Sequence, residues 1–190
     1  MDKLDPRRTA LVLIDLQTGI LPFGIAPHPA AAVLANAARL AARFRALSAP
    51  VALVRVGWTD GFPDVLKQPV DQAPPLPPQL PDTWWDIPAE LDHQPSDILI
   101  TKRQWNAFYG TELDLQLRRR GIDTIVLGGI VTGIGVESTA RAGWEQGYGQ
   151  VLVEDMMSAP NPDHHAFSIT TILPRLGRIR STEMVLAALN

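Results

Sequence analysis

The chain has 190 residues, 46% hydrophobic and 19% charged, which suits one globular domain over residues 1–190 with a core that needs no covalent staples. It has no cysteine, which excludes disulfides, thiolate metal sites, iron–sulfur clusters and a cysteine nucleophile. The net charge of −3 with no basic block argues against nucleic acid or a membrane as partner, no apolar run reaches the ~20 residues of a membrane span, and the polar start MDKLDPRR lacks the apolar region of a signal peptide, so a cytoplasmic location is expected.

The first predicted element is a strand over Thr9–Ile14, a short apolar run of the kind buried on both faces of a parallel sheet, and it ends at Asp15. A Gly/Pro loop, Thr18–Pro29, leads to a helix over Ala30–Leu47, where Val33, Leu34, Ala37, Leu40, Ala41 and Phe44 recur at helical spacing. After Pro50 a second strand is predicted over Val51–Val56. The stretch 57–95 has no clear period; it carries the run PVDQAPPLPPQLPD together with Trp58, Trp84 and Trp85. Such a stretch is either a functional loop or lid, or a surface loop whose tryptophans pack on the body or on a partner subunit.

Asp97–Thr101 is a third predicted strand, leading into Lys102. Thr111 is the expected N-cap of a helix that stops at Gly121. Ile122–Leu127 is a fourth strand; it feeds the glycine-rich turn GGIVTGIG and a helix over Val136–Gln146. Gln150–Val153 is a fifth strand, ending at Glu154 and Asp155. Asn161-Pro162 reads as an N-cap with proline at the first helical position, opening a helix to about Leu173. A short sixth strand over Arg178–Arg180 and a helix over Thr182–Leu189 complete the chain.

Apolar strands alternating with helices indicate a three-layer α/β fold: a mainly parallel open sheet of about six strands with helices on both faces. In such folds the site lies at the C-terminal edge of the strands. Asp15, Arg55, Lys102, the turn Gly128–Gly135, Glu154 and Asp155 are therefore the residues to question. Asp15 is either a carboxylate capping a turn or a general acid or base in a cleft, and burial and a neighbouring Lys102 would push its pKa in opposite directions. The glycine-rich turn matches neither a dinucleotide fingerprint nor a P-loop, but its backbone N–H groups could serve as an oxyanion hole. His28, His93, His164 and His165 lack metal-ligand spacing and read as solvated or capping residues; neither a metal nor a cofactor is expected. No serine lies in a G-x-S-x-G elbow.

The order LVLIDLQ, ITKRQWNAFYGTELDLQLRRRGIDTIVLGGIVTGIGVESTARAGWEQGY and VEDMMSA resembles the isochorismatase-like (cysteine hydrolase) superfamily over nearly the whole chain. The RVGW, WW and KRQW segments look most like its YecD-type subgroup. The resemblance implies an open α/β sheet and, in most members, an Asp–Lys–Cys triad. Asp15 matches the family aspartate, Lys102 the lysine, and Gly135 occupies the position of the nucleophilic cysteine. It also implies a non-proline cis peptide at Ile130–Val131, with the N–H groups of Val131 and Gly135 as oxyanion donors. Nicotinamidases of the superfamily often add a metal bound through an Asp-x-His motif; the segment here, VRVGWTDG, has none.

A glycine at the cysteine position closes the thioester route and leaves hydrolysis by an aspartate general acid/base, with vinyl ether cleavage as the implied model. The expected substrate is a small, carboxylate-bearing molecule. Phe23, Trp58, Trp85, Trp105, Phe108 and Tyr109 flank the strand ends and are the candidate pocket wall, although each could equally pack in the core or at a subunit interface. The alternative from another class is a ligand-binding protein that keeps the pocket without turnover. The resemblance also implies a homo-oligomer, dimer or tetramer.

Overall fold

The computed structural model describes residues 3–73 and 77–189; residues 74–76, inside the proline-rich run, and the first two residues of the polar N-terminus lie outside it. The strands are β1 (Thr9–Ile14), β2 (Val51–Val56), β3 (Ile98–Lys102), β4 (Thr124–Ile130), β5 (Gly149–Ser158) and β6 (Arg178–Arg180). They form a single six-stranded sheet in the order β3-β2-β1-β4-β5-β6. Every neighbouring pair is parallel. The chain order steps outward from β1 to β3 and then returns to the other side at β4, so the ends of β1 and β4 flank the switch point where α/β sheets place their sites.

The helices are α1 (Ala30–Ala46), α2 (Leu113–Arg119), α3 (Glu137–Glu145), α4 (Pro162–Phe167) and α5 (Thr182–Ala188). Alternation along the strands divides the core in two. Leu11, Leu13, Leu53, Val126 and Val151 pack with Val33, Ala37, Leu40 and Phe44 of α1 and Val185 of α5. Ala10, Val12, Ile14, Val54, Ile100 and Leu127 pack with Leu113 and Leu117 of α2 and Ala140 of α3. Both faces of the central strands are therefore dry, as the uninterrupted apolar runs predicted.

Several element boundaries differ from the sequence reading. The N-cap of α2 is Glu112 and not Thr111, whose hydroxyl still accepts from Leu113 N–H. β4 runs to Ile130 because Gly128 and Gly129 stay in register with Leu13 and Ile14 of β1. β5 continues to Ser158, so Glu154 and Asp155 lie within it and not at its end. Leu152 opposes Leu127 and Met157 opposes Gly129, so five steps on β5 match two on β4. That bulge re-aims both acids: Asp155 Oδ1 accepts from the N–H and hydroxyl of Thr182 at the start of α5. Finally, the helix expected to reach Leu173 is α-helical only to Phe167 and then continues as a π turn and a 3-10 turn that contains Pro174. The Asn161 cap is as expected, its side chain accepting from Asp163 N–H.

Gly129 is where the fold tolerates least change. Its φ is 137°, and a Cβ there would fall on the backbone of Ile14. Gly129→Ala is expected to cost about 4 kcal/mol or to prevent folding, from combined backbone strain and overlap. Urea denaturation checks this, and a loss below ~1 kcal/mol would contradict the close approach.

Candidate active site

Asp15 follows the last residue of β1. Strict alternation past Ile14 would send it to the α1 face with Leu11 and Leu13. Its backbone instead turns left-handed, with φ 53°, and its N–H is held by the Val54 carbonyl at 2.8 Å. Lys102 ends β3 on the face of Ile98 and Ile100 and is 2% exposed. Its ammonium donates to Asp15 Oδ2 at 2.7 Å and to the Gln104 carbonyl at 3.1 Å. One strand, β2, lies between β1 and β3, so their separation is two steps of roughly 4.8 Å and a long lysine stem is what allows the pair to meet.

Asp15 is itself 4% exposed, and its second oxygen, Oδ1, is buried with no hydrogen-bond partner among the described residues. Burial raises the Asp15 pKa to about 6, against the opposing pull of the Lys102 charge and hydrogen bond. The carboxyl thus titrates near neutrality, with one oxygen engaged and the other free.

Gly135 completes the constellation. A Cβ built there would lie 3.0 Å from Asp15 Oδ2 and 3.7 Å from Lys102 Nζ. A side chain at this position would project onto the pair. The Ile130–Val131 peptide is cis, as expected. The chain then makes one π turn, Thr132–Val136, before α3, with Val136 N–H bonded to the Val131 carbonyl at 3.3 Å. Single π turns are frequent at functional sites because they splay local N–H groups from the regular ladder. Thr139 ties this turn to the loop after β3, donating to the Gly135 carbonyl and accepting from Ala107 N–H.

The candidate pocket aromatics separate into three environments. Trp58 and Trp85 are half-buried beside the ends of β2 and β3. Trp58 Nε1 donates to the Arg103 carbonyl, and the Trp85 ring lies against Gly57 with the guanidinium groups of Arg55 and Arg103 at 5.3 and 5.8 Å from its centre. Phe23, Trp105 and Tyr109 are on the surface at 48%, 63% and 74% exposure. Phe108 is placed in the core, where it stacks on Tyr148 at 5.5 Å and packs under α3. The histidines divide as well. His165 is buried, which corrects the solvated reading, and burial pulls its pKa down. His164 beside it is exposed, as adjacent positions on a helix require.

Sequence reasoning missed Gln17. This fully buried amide donates to the carbonyls of Val56 and Trp84 and accepts from Val56 N–H at 2.6 Å. Trp84 Nε1 also donates to Val56, and Thr18 N–H bonds the Asp86 carbonyl. The far end of the 57–95 segment is thereby laced to the chain directly after Asp15. The residues after β2 do not fit the Asp-x-His metal site that the resemblance associates with nicotinamidases. Gly57-Trp58-Thr59 stands there, and the nearby Asp64 carboxylate is taken up by Thr59 and Arg103.

The isochorismatase domain matches residues 9–184. The chain belongs to the isochorismatase family. It is 57% identical over 189 residues to the isochorismatase family protein YecD of Escherichia coli O157:H7, covering all of both chains. It is 32% identical to the ureidoacrylate amidohydrolase RutB of Rhizobium rhizogenes, over 84% of this chain and 74% of that one. The structure of an isochorismatase family protein from Burkholderia thailandensis superposes with a TM-score of 0.94 at 44% identity, over 100% of this chain and 98% of the other.

Asp15 and Lys102 each leave a buried charge behind when the other is removed, typically a loss of about 3–5 kcal/mol. Asp15→Asn and Lys102→Met are each expected to destabilise by about 3 kcal/mol. The double variant is expected to lose at least ~2 kcal/mol less than the sum. Denaturant titration of the four proteins measures this, and additive losses would contradict direct coupling.

Proposed function

We propose that this chain is a hydrolase of a small, carboxylate-bearing molecule in which Asp15 is the general acid/base and no covalent enzyme intermediate forms. The observation that carries the reading is the buried Asp15 carboxyl, tuned to about 6, with one oxygen held by Lys102 and the other buried without a hydrogen-bond partner among the described residues. A group titrating near the working pH is the best placed to transfer a proton. RutB is an amidohydrolase, which supports hydrolysis as the reaction class, but this chain contains no cysteine, and a side chain at Gly135, the position that the resemblance gives to the nucleophile, would meet Asp15 and Lys102.

Vinyl ether cleavage suits these groups. Protonated Asp15 gives its proton to the terminal vinyl carbon, and the ether oxygen supports the cation that forms at the adjacent carbon. Water adds to that carbon and returns a proton to the Asp15 carboxylate. The resulting hemiketal separates into a ketone and an alcohol. Lys102 sets the charge of Asp15 and offers a cation to a substrate carboxylate. The N–H groups of Val131 and Gly135, at the mouth of the π turn, bind the substrate's negative oxygen. Trp58 and Trp85, held by Arg103 and Arg55, wall the pocket on the β2–β3 side. Trp105, Tyr109 and Phe23 supply exposed apolar area that an oligomer would cover.

A screen of vinyl ethers, esters, amides and small carboxylates tests the reading, with Asp15→Asn as control. Wild-type turnover of an acid-labile substrate is expected to fall on the order of 10²–10⁴-fold in Asp15→Asn. The sign of the pH dependence follows from the role: the acid form of Asp15 in the free protein is lost above about 6, so log kcat/KM should fall with rising pH through that point. Unchanged turnover in Asp15→Asn would overturn the assignment. A compound that raises the melting temperature and is never consumed would show a binding protein instead.

A further inference from the structure

On the far side of the glycine-rich turn, three side chains from separate elements converge. They are His28 from the loop before α1, Glu154 from the β5 bulge and His165 from α4, and their ligand atoms all lie within 4.8 Å of one another. His28 Nε2 is 2.8 Å and His165 Nε2 is 3.1 Å from the same oxygen, Glu154 Oε1. Two imidazoles and a carboxylate are a ligand set suited to zinc and its neighbours in the first transition row.

Each member is positioned by its surroundings. The single hydroxyl proton of Ser158 lies between the His28 carbonyl at 2.6 Å and the Ala26 carbonyl at 3.0 Å, and Ala26 pairs with Ala159, so the loop bearing His28 is fastened to the end of β5. The β5 bulge directs Glu154 to the same point. His165 is fixed through its other nitrogen, with Nδ1 2.9 Å from Thr132 Oγ1. Thr132 has one hydroxyl proton, which points at the Ser158 carbonyl, 3.1 Å away. Thr132 Oγ1 can therefore accept from His165 Nδ1–H, and Nε2, which faces Glu154 Oε1, is the nitrogen that a cation would take in place of its hydrogen bond. A histidine anchored through Nδ1 is the usual orientation of a metal ligand.

We propose that His28, Glu154 and His165 form a binding site for a divalent transition metal of the zinc type, with water or a ligand oxygen in the fourth position. Zinc–ligand bonds of ~2.0–2.2 Å in a tetrahedral site set ligand atoms roughly 3.3–3.5 Å apart, so the two nitrogen–oxygen separations of 2.8 and 3.1 Å need to open by roughly half an ångström. His28 and Glu154 are each about one-third exposed and His165 is buried, leaving one open side for entry and for the fourth ligand. The site lies beside β5, not after β2, so it is separate from the Asp-x-His position. Its link to the catalytic turn is Thr132, one residue beyond the cis peptide.

The full chain, stripped with EDTA and titrated with zinc chloride by calorimetry, tests the proposal. One ion per chain is expected, with at least tenfold weaker binding in both Glu154→Gln and His28→Ala and unchanged binding in Asp15→Asn. Cobalt(II) is expected to give visible ligand-field absorption in the wild type that both site variants lose, with their folds verified by circular dichroism. Zinc affinity that is unchanged in both site variants, or lost in Asp15→Asn, would overturn the site.

Discussion

The ammonium of Lys102 and the carboxyl of Asp15 meet 2.7 Å apart inside the protein, and the surrounding structure is arranged to let them do so. A buried pair of this kind is poor economy for stability, since desolvating both charges can exceed their attraction. It sits instead at the one place in the sheet where strand order reverses, between the ends of β1 and β4. The left-handed turn at Asp15 and the side-chain-free surface of Gly135 are local departures from the regular pattern, and both serve this contact. Burial and charge pull the carboxyl in opposite directions, and burial wins.

Much of this was legible in the sequence, and for definite reasons. TALVLI and VALVRV are uninterrupted apolar runs, and such runs are strands with two dry faces. Helical spacing in α1 placed its buried stripe on the residues that pack against β1. Asp15 and Lys102 stood out as polar residues at the ends of such strands. What was not legible depends on contacts between distant segments. The β5 bulge arises from register against β4, which no local pattern encodes. Gln17 reads as one more polar loop residue until Val56 and Trp84 arrive to use all of its amide. His28 and His165 are 137 positions apart in the chain and share a partner only because a bulge turns Glu154 toward both.

The glycine-rich turn joins these two regions. On one side its Gly135 backs onto Asp15 and Lys102. On the other its Thr132 hydroxyl is hydrogen-bonded to His165 Nδ1. Absence of cysteine, at first only a statement about disulfides and thiolates, thereby gains a position and a consequence. With no side chain at Gly135, no nucleophile backs onto the carboxyl, and the proposed chemistry is proton transfer by Asp15.

The most direct measurement is the titration of Asp15 itself, followed by carbon NMR of ¹³Cγ-labelled aspartate, with Asp15→Asn used to assign the resonance. A midpoint near 6 is predicted, set by burial against the neighbouring ammonium. A midpoint at or below the ordinary aspartate value of about 4 would show that the Lys102 charge dominates, and would contradict a carboxyl poised to give up a proton near neutral pH.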